Sequence, residues 1–378
     1  MSLERLEQIK PFLVMDVLDK ADAMVRSGED IIHFEIGEPD FGTPQKILEA
    51  GMAALQRGET HYTHSLGIYP LREAVCEWYR KKYRVDIDPE QVVITMGTSP
   101  GLLLALSTLV SNGDQVILSD PCYACYESFI RYLQAEAVPI PVYDESEFQL
   151  SIGDVLREIN PKTKAIIINS PSNPTGTMLA AEVLVELANC GVPIISDEIY
   201  HGLVYEGRPH SILEFTTNAF VLNGFSKLFC MTGWRLGYII SPPQYVRNIQ
   251  KLQQNFFISP SNFVQHAGVT ALKEDHPELE ERLNIYRQRR DTMIELLLEA
   301  GFEINAKPTG AFYVFANARR FSSDSLRFAM ELLENAKVAV APGIDFGKNG
   351  EGYLRFSYST SVEKIREGIA RINHHLRK

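Results

Sequence analysis

One lysine in the sequence stands among apolar residues, where a charged side chain is costly to place. Lys227 follows Ser226 and is flanked by Phe225, Leu228 and Phe229. Apolar neighbours lower the pKa of an ammonium group, because its charged form loses hydration. A lysine tuned in this way can attack a carbonyl carbon and form a Schiff base. We therefore identify Lys227 as a candidate nucleophile, although a solvated lysine is the commoner case for a lysine considered alone.

Small polar residues follow a predicted strand and open a predicted helix. Gly97, Thr98 and Ser99 come one residue after the apolar run Val92–Thr95. Backbone N–H groups at a helix N-terminus can face a phosphate when no bulky side chain intervenes. Arg235 offers a guanidinium group at the same edge of the predicted sheet. Taken alone, Thr or Ser before a helix is more often an ordinary cap.

Three further polar residues come at or just after predicted strand ends. Asn173 precedes Pro174 in a turn that can fix the direction of the amide. Asp197 ends a predicted buried strand, where a carboxylate is costly unless a cation pairs with it. Tyr200 follows shortly after Asp197. An ordinary turn at Asn173 and a helix cap at Asp197 remain open as alternatives for each residue considered alone.

Considered together, these residues indicate one binding site more strongly than any of them does alone. A lysine, an anion cradle, an acid, an amide and a phenol could together hold a phosphorylated aromatic aldehyde with a ring nitrogen. Pyridoxal 5'-phosphate (PLP) is such a molecule, and it binds through a lysine Schiff base with an acidic partner on its pyridinium nitrogen. The set of residues therefore predicts a PLP site.

Composition excludes several other classes of protein. The chain has 378 residues, 45% hydrophobic and 22% charged, which is typical of a globular protein of two or three domains. Its 37 basic and 48 acidic residues give a net charge of −11, which argues against nucleic acid and anionic membranes as partners. No apolar run is long enough to span a membrane, and the first residues lack an apolar signal core. With five cysteines, an odd number, we expect a soluble, cytoplasmic protein.

A C-x-x-C pair occurs at Cys122 and Cys125, a spacing that redox and zinc sites share. A zinc site would need a second ligand pair, and no other C-x-x-C exists in the sequence. His61 and His64 have no further cluster of ligands beside them in the sequence. We therefore predict no metal site, and a dithiol role is a minor alternative.

Short apolar runs alternate with amphipathic stretches of helical length, which indicates an α/β layer with a mostly parallel sheet. We expect a three-layer large domain over residues 45–275. From about residue 276 the pattern changes to one long helix, predicted over Glu278–Glu299, and short alternating strands with a final helix over Val362–Leu376. This pattern is typical of a smaller α+β domain over 276–378. Residues 1–44 are predicted to form an arm and a first strand of that smaller domain. The predicted strands are Val92–Thr95, Gln115–Leu118, Ala165–Asn169, Pro193–Ser196, Ala219–Leu222, Gly237–Ile240, Ala311–Phe315, Val338–Ala341, Tyr353–Ser357 and Ile31–Glu35.

The sequence resembles the class I aminotransferases of the aspartate aminotransferase family, fold type I of the PLP enzymes. The resemblance runs over nearly the whole chain, from Ile36-Gly37-Glu38-Pro39-Asp40 to Tyr353–Ser357. It depends most on Ser226-Lys227 with Gly233-Trp234-Arg235-Leu236-Gly237, on Asn173-Pro174-Thr175-Gly176 and on Asp197-Glu198-Ile199-Tyr200.

The resemblance implies a role for each matching residue. Lys227 would carry the Schiff base and move the substrate proton, Asp197 would keep the ring nitrogen protonated, and Tyr200 and Asn173 would bind the phenolic oxygen. The resemblance also implies a homodimer, in which Tyr62 reaches into the neighbouring subunit's site. The remaining implied contacts are Tyr123 stacked on the ring, Gly97, Thr98, Ser99, Ser226 and Arg235 on the phosphate, and Arg355 with Gly37 and Asn173 on the substrate.

The expected activity is amino transfer between an L-amino acid and a 2-oxo acid by a ping-pong Schiff-base mechanism. A β-lyase or a decarboxylase would use the same lysine, aspartate and arginine, so both remain alternatives. A non-catalytic PLP-binding regulator and a C-x-x-C oxidoreductase are less favoured. Neutral or aromatic substrates are slightly favoured, because the segments expected near the substrate side chain are apolar. Their apolar residues are Phe12, Met15, Ile36, Phe256 and Phe257.

Overall fold

The computed structural model describes residue 7 and residues 9–377, and its centre is a seven-stranded sheet. The strands follow the spatial order β2-β8-β7-β6-β5-β3-β4. Their bounds are β2 Val92–Thr95, β3 Gln115–Asp120, β4 Glu136–Pro141, β5 Thr163–Asn169, β6 Ile194–Asp197, β7 Ala219–Gly224 and β8 Gly237–Ile240.

Only β8 runs against the other strands of this sheet; it pairs antiparallel with both β2 and β7. Since β8 lies between those two strands, β2 points the same way as β3, β4, β5, β6 and β7. The carboxyl ends of all these strands therefore meet at one edge. This confirms the predicted mostly parallel sheet.

Both faces of the sheet are buried, as a three-layer architecture requires. In β5, Ile166 and Ile168 pack into one hydrophobic cluster, while Ala165 and Ile167 pack into another on the opposite face. The helices that cover the two faces are α2 Gln45–Gln56, α3 Tyr69–Tyr83, α4 Thr98–Leu109, α5 Cys125–Tyr132, α6 Ile152–Glu158, α7 Ala181–Ala188, α8 Pro243–Phe256 and α9 Asn262–Lys273.

The remaining elements form two smaller sheets with their own core. A parallel pair joins β1 (Ile32–His33) to β10 (Val338–Ala339), and an antiparallel sheet has the order β11-β12-β9. The other bounds are α1 Leu13–Arg26, α10 Glu278–Glu299, β9 Tyr313–Asn317, α11 Ser325–Glu331, β11 Ala341–Pro342, β12 Tyr353–Ser357 and α12 Val362–Leu376.

Sequence patterns locate most of these elements, and the misses have physical causes. The edge strand β4 was not predicted, because Pro139 and Pro141 interrupt its pattern. The predicted strand over 311–315 begins two residues later, since Ala311 has a φ of 56° and cannot extend the strand. The predicted strand 338–341 is divided at Val340 into β10 and β11.

The arm helix α1 packs on the parallel pair of small strands. Val17 and Ala21 on α1 join Ile31, Leu333 and Ala339 in one buried cluster. This contact sets α1 beside the smaller sheets. Over residue 7 and residues 9–377, no helix has the length and apolar character that a membrane crossing needs.

Candidate functional site

The candidate site lies at the edge where the parallel strands end. In β5, β6 and β7 the register aligns Asn169 with Asp197 and Asp197 with Leu222. The chain leaves these strand ends toward Asn173, Tyr200 and Lys227 respectively. A cavity of about 420 Å³ opens there, as expected for an open α/β sheet.

Most of the predicted site residues meet in this cavity. Gly97 and Tyr62 do not line it, and Tyr62 lies elsewhere on the surface with 81% of its area exposed. The predicted residues that line the cavity are Gly37, Thr98, Ser99, Tyr123, Asn173, Asp197, Tyr200, Ser226, Lys227, Arg235 and Arg355.

Lys227 lies close to two aromatic rings, neither of which is among its neighbours in the sequence. Its Nζ atom lies 5.6 Å from the ring centre of Phe312 and 5.9 Å from that of Tyr200. Burial lowers the pKa of Lys227 to about 8, although the charge of Glu38 partly opposes this shift. The ammonium donates a hydrogen bond to the backbone carbonyl of Gly37. A pKa of about 8 leaves an appreciable fraction of this amine neutral near neutral pH.

Asp197 is a buried carboxylate with few compensating contacts. Its Oδ2 atom accepts a 2.8 Å hydrogen bond from Tyr126, and its Oδ1 atom accepts one of 3.2 Å from the backbone N–H of Ile199. Burial raises the pKa of Asp197 to about 6, and these bonds with the charge of Lys227 oppose the rise. A carboxylate in this position favours a cationic partner in the cavity.

An anion cradle surrounds the start of α4. Gly97 at its N-cap offers no side chain to the first N–H groups, and the hydroxyl-bearing residues Thr98 and Ser99 line the cavity. Gly97 has a φ of 95°, and a Cβ atom there would lie 2.6 Å from Nη2 of Arg235. Glycine therefore allows both the backbone conformation and the close approach of the guanidinium. Ser226 lines the same cavity.

Arg355 is held in a buried slot between two rings. Its guanidinium carbon lies 4.3 Å from the ring centre of Tyr313 and 4.9 Å from that of Phe346. Nη1 donates to Oδ1 of Asn173 at 2.9 Å, and Nη2 donates to the carbonyl of Glu35 at 2.6 Å. Nε is buried and has no acceptor among the residues described. The group is a preoriented cation that can take a carboxylate.

Three predicted residues make contacts that the sequence did not indicate. The Tyr200 hydroxyl pairs with that of Tyr313 at 2.9 Å. Gly37 presents its carbonyl to Lys227, and a Cβ atom at this glycine would lie 2.4 Å from the Tyr313 hydroxyl. Tyr123 contacts Phe12 edge to face, with ring centres 6.2 Å apart. All of these rings lie around one cavity.

Cys122 and Cys125 are free thiols in an environment that favours their protonated form. Burial raises the pKa of both Cys122 and Cys125, which keeps them protonated. Within residue 7 and residues 9–377, no group of three or more histidine, cysteine or acidic side chains could hold a metal ion.

Comparison with known proteins identifies the family. The sequence model of the family described as aminotransferase class I and II matches residues 29–372. The chain belongs to this family. The protein is therefore an aminotransferase, and the cavity at the strand ends is its candidate active site.

Relatives and solved structures agree with this assignment. A (5-formylfuran-3-yl)methyl phosphate transaminase from Methanocaldococcus jannaschii is 44% identical and aligns over 99% of both chains. An aspartate aminotransferase from Pyrococcus horikoshii is 40% identical, over 98% of this chain and 95% of that one. The structure of aspartate aminotransferase from Thermus thermophilus with maleate matches at a TM-score of 0.94, with 34% identity over 98% of both chains. This confirms the fold class of the aminotransferase.

Several residues in or beside the aminotransferase cavity were missed by sequence reasoning. Tyr126 binds Asp197, and Tyr313 and Phe346 enclose Arg355. Asn169 accepts from the Asn173 N–H at 2.8 Å and donates to the Asp197 carbonyl at 2.9 Å. Of these, only Asn169 had a readable signal, since it is a polar residue at the end of a predicted strand.

Proposed function

We propose that this aminotransferase uses PLP to move an amino group between an L-amino acid and a 2-oxo acid in a ping-pong reaction. The observation that carries the proposal is the shared cavity of Lys227, Asp197 and Arg355 beside the uncapped start of α4. An amine, an acid, a carboxylate-binding cation and an anion cradle are the four features that this chemistry requires.

The residues of the cavity fit PLP by charge and size. The N–H groups at the start of α4 and the guanidinium of Arg235 suit its phosphate. Asp197 suits the protonated ring nitrogen, because a cation there would offset the cost of its burial. When bound, PLP supplies an aldehyde that condenses with amines and a ring that accepts the electron pair left on the substrate carbon. The proposed PLP contacts are Tyr62, Gly97, Thr98, Ser99, Tyr123, Asn173, Asp197, Tyr200, Ser226, Lys227 and Arg235.

Lys227 is proposed to handle the proton of the reaction. With a pKa of about 8, its Nζ atom can be neutral when it accepts the proton from the substrate α-carbon and charged when it returns it. The ring centres of Phe312 and Tyr200 lie 5.6 Å and 5.9 Å from Nζ. Arg355 binds the α-carboxylate, with Asn173 orienting the guanidinium through their hydrogen bond. The backbone N–H of Gly37 is proposed as a further contact to that carboxylate.

A homodimer with composite sites is part of the proposal. Tyr62, Phe256 and Ile258 are exposed by 81%, 58% and 49%, and the adjoining Thr63 N–H donates to Oγ of Ser259 at 3.2 Å. Exposed apolar side chains on adjoining segments are typical of a protein interface. A second copy would cover them and could bring its Tyr62 to this cavity. We retain the division into residues 1–44, 45–275 and 276–378, and a cytoplasmic location, as proposals.

A visible absorption spectrum tests the proposed chemistry. The purified protein with PLP should show a yellow, pH-sensitive band that bleaches with particular amino acids and returns with a 2-oxo acid. That cycle would demonstrate both half-reactions and identify the amino donor. Release of a 2-oxo acid from one amino acid without any co-substrate would instead indicate a lyase. If added PLP produces no such band, the proposed role of Lys227 is wrong.

A further inference from the structure

The arm helix α1 is capped by a residue far away in the chain. Its N-cap residue is Phe12, which has no side-chain acceptor for the first N–H groups. The carboxylate of Asp345 takes that place: Oδ1 accepts from the N–H of Leu13 at 3.0 Å, and Oδ2 accepts from that of Val14 at 3.1 Å. Both oxygens of one carboxylate are therefore engaged by the start of α1, where the helix dipole also favours negative charge.

Because Asp345 caps the helix, the N-cap residue does not need a polar side chain and can be the aromatic Phe12. Phe12 lies against Tyr123, and it lines the active-site cavity together with Val14, Met15 and Leu18. Met15 is 44% exposed although it is a large apolar side chain. A serine or aspartate at position 12 would cap α1 locally but would remove this apolar surface. The first turns of α1 thus form an apolar wall of the cavity, defined here as Phe12, Val14, Met15 and Leu18.

Asp345 also lies next to the carboxylate-binding group. It belongs to a short 3-10 helix, Gly343–Phe346, whose last residue packs on the guanidinium of Arg355. The same turn therefore sets the position of the apolar wall and of Arg355. Because Arg355 would hold the α-carboxylate, the wall is fixed relative to the point from which a substrate side chain extends.

The charges in the cavity favour a neutral side chain at this wall. Among the described residues, the cations that line the cavity are Lys227, Arg235 and Arg355. Each already has a place in the proposed function, as amine, phosphate contact and α-carboxylate contact. No further lysine or arginine of the described chain lines the cavity beside the apolar wall to neutralise a second carboxylate.

We propose that Asp345 is a positioning residue that caps α1 and thereby holds the apolar wall against large, neutral, apolar side chains of amino acid substrates. The inference rests on the proposed function, since it takes Arg355 as the α-carboxylate site. Asp345 itself touches neither substrate nor cofactor. It acts through the first turn of α1.

Two substitutions at Asp345 test the cap in the PLP-loaded enzyme. Asp345→Ala removes both acceptors, and Asp345→Asn keeps one oxygen acceptor while removing the charge. We expect Asp345→Ala to lower kcat/KM for L-phenylalanine and L-leucine about tenfold and kcat/KM for L-alanine less than about twofold, because loss of the cap destabilises the first turn of α1, which carries the wall. Asp345→Asn should retain most of the wild-type selectivity. Hydrogen exchange of the amides in 13–17 should accelerate in Asp345→Ala and much less in Asp345→Asn.

Control variants separate the cap from other effects. Ser361→Ala removes the cap of α12, a helix of similar length, and should leave substrate selectivity unchanged. Met15→Ala removes apolar surface from the wall and leaves the cap intact. It should therefore lower kcat/KM for L-phenylalanine and leave kcat/KM for L-alanine nearly unchanged. This variant keeps the wall testable if Asp345→Ala does not fold.

The possible contrary outcomes are distinct. An equal loss for all amino acids in both Asp345 variants would mean that Asp345 acts through its charge on Arg355, which would overturn the proposal. An unchanged rate of amide hydrogen exchange in residues 13–17 of Asp345→Ala would also overturn the proposal. If the wild-type enzyme transaminates no amino acid, the proposed function fails, while the exchange measurement still decides whether Asp345 holds α1.

Discussion

Arg355 and Asn173 are 182 positions apart in the chain, yet Nη1 of the arginine lies 2.9 Å from Oδ1 of the asparagine. Arg355 comes from β12 in the smaller antiparallel sheet, while Asn173 follows β5 of the large sheet. The hydrogen bond therefore joins the two sheets at the active-site cavity. Arg355 thereby lines the same cavity as Asp197 and Lys227.

Replacement of Arg355 should weaken the binding of every amino acid substrate. Arg355→Ala is expected to raise KM by roughly 100-fold or more, because two bonds to a charged group are lost at roughly 1.5–3 kcal/mol each. Arg355→Lys keeps the charge without the planar fork and should lie between wild type and alanine. Steady-state kinetics with several amino acids measures the effect.

Arg319 provides the matched control for Arg355. It also stacks on a tyrosine ring, with its guanidinium carbon 4.7 Å from the ring centre of Tyr353, but it does not line the cavity. Arg319→Ala should leave KM near the wild-type value. An unchanged KM in Arg355→Ala for every amino acid would place Arg355 outside the substrate site.

Removal of the Lys227 amine should abolish turnover without unfolding the protein. Lys227→Ala is expected to lower kcat by roughly 10³-fold or more, since both covalent catalysis and proton transfer depend on Nζ. Borohydride should fix PLP covalently to the wild type and not to the variant, which mass spectrometry can measure. Lys82→Ala is the control, because burial also lowers the pKa of Lys82, whose ammonium lies over Trp78, outside the cavity. Near-normal transamination by Lys227→Ala would disprove the assignment.

The buried carboxylate of Asp197 should make the stability of the PLP-free protein depend on pH. Its folded-state pKa of about 6 exceeds the ordinary value of 3.8, so its contribution to stability is complete below pH 3.8 and is lost as pH rises through about 6. Asp197→Asn should therefore be more stable than wild type at pH 7, by about 3 kcal/mol for a shift of roughly two units. Denaturant unfolding between pH 4 and pH 8 measures the difference, which should vanish at the acid end.

Binding of PLP should make the wild type more stable than Asp197→Asn, which reverses the order expected without PLP. A cationic ring nitrogen would pair with the Asp197 carboxylate and not with the asparagine amide, so PLP should stabilise the wild type more at pH 7. Titration with PLP, followed by the same unfolding measurement, tests this. Equal stabilisation of both proteins would show that Asp197 does not face the ring nitrogen.

Mixed dimers of Lys227→Ala and Tyr62→Ala should be active if Tyr62 contacts the site of the neighbouring subunit. In a mixed dimer of Lys227→Ala and Tyr62→Ala, one site would combine an intact Lys227 with an intact Tyr62. Refolding the two proteins together in equal amounts should give about a quarter of wild-type activity, since half of the dimers are mixed and each has one intact site. Activity no higher than the sum of the two separate variants would show that Tyr62 does not act across the dimer.

Local patterns in the sequence predict the elements that carry the site, and the reason is physical. Strands β2 and β8 are buried on both faces, so they appear as continuous apolar runs and were located at their observed bounds. Helix α10 over Glu278–Glu299 and helix α12 over Val362–Leu376 were likewise found at their bounds. The strand β4 was missed because its prolines and half-exposed surface remove the pattern on which such a prediction depends.

Side-chain partners between distant segments could not be read in the same way. Asp345 as the cap of α1, and the pairing of the Tyr200 and Tyr313 hydroxyls, involve residues 331 and 113 positions apart. Such contacts depend on how separate elements pack, and neither residue carries a local mark of its partner. Phe12 illustrates this, since an aromatic residue before a helix gives no indication that a distant carboxylate completes the cap.

The sequence alone determined the chemistry available to this protein: a lysine among apolar residues, glycine and hydroxyl residues at a helix start, an acid at a strand end and a fixed order of α/β elements. Hydrophobic periodicity and local residue type contain that information, because both act over a few residues. Only the tertiary structure decided that Arg355 meets Asn173, that Lys227 contacts Gly37 and that the Asp345 carboxylate accepts from the first N–H groups of α1. Those contacts exist because the packing of the large and small sheets brings together segments that are remote in the chain.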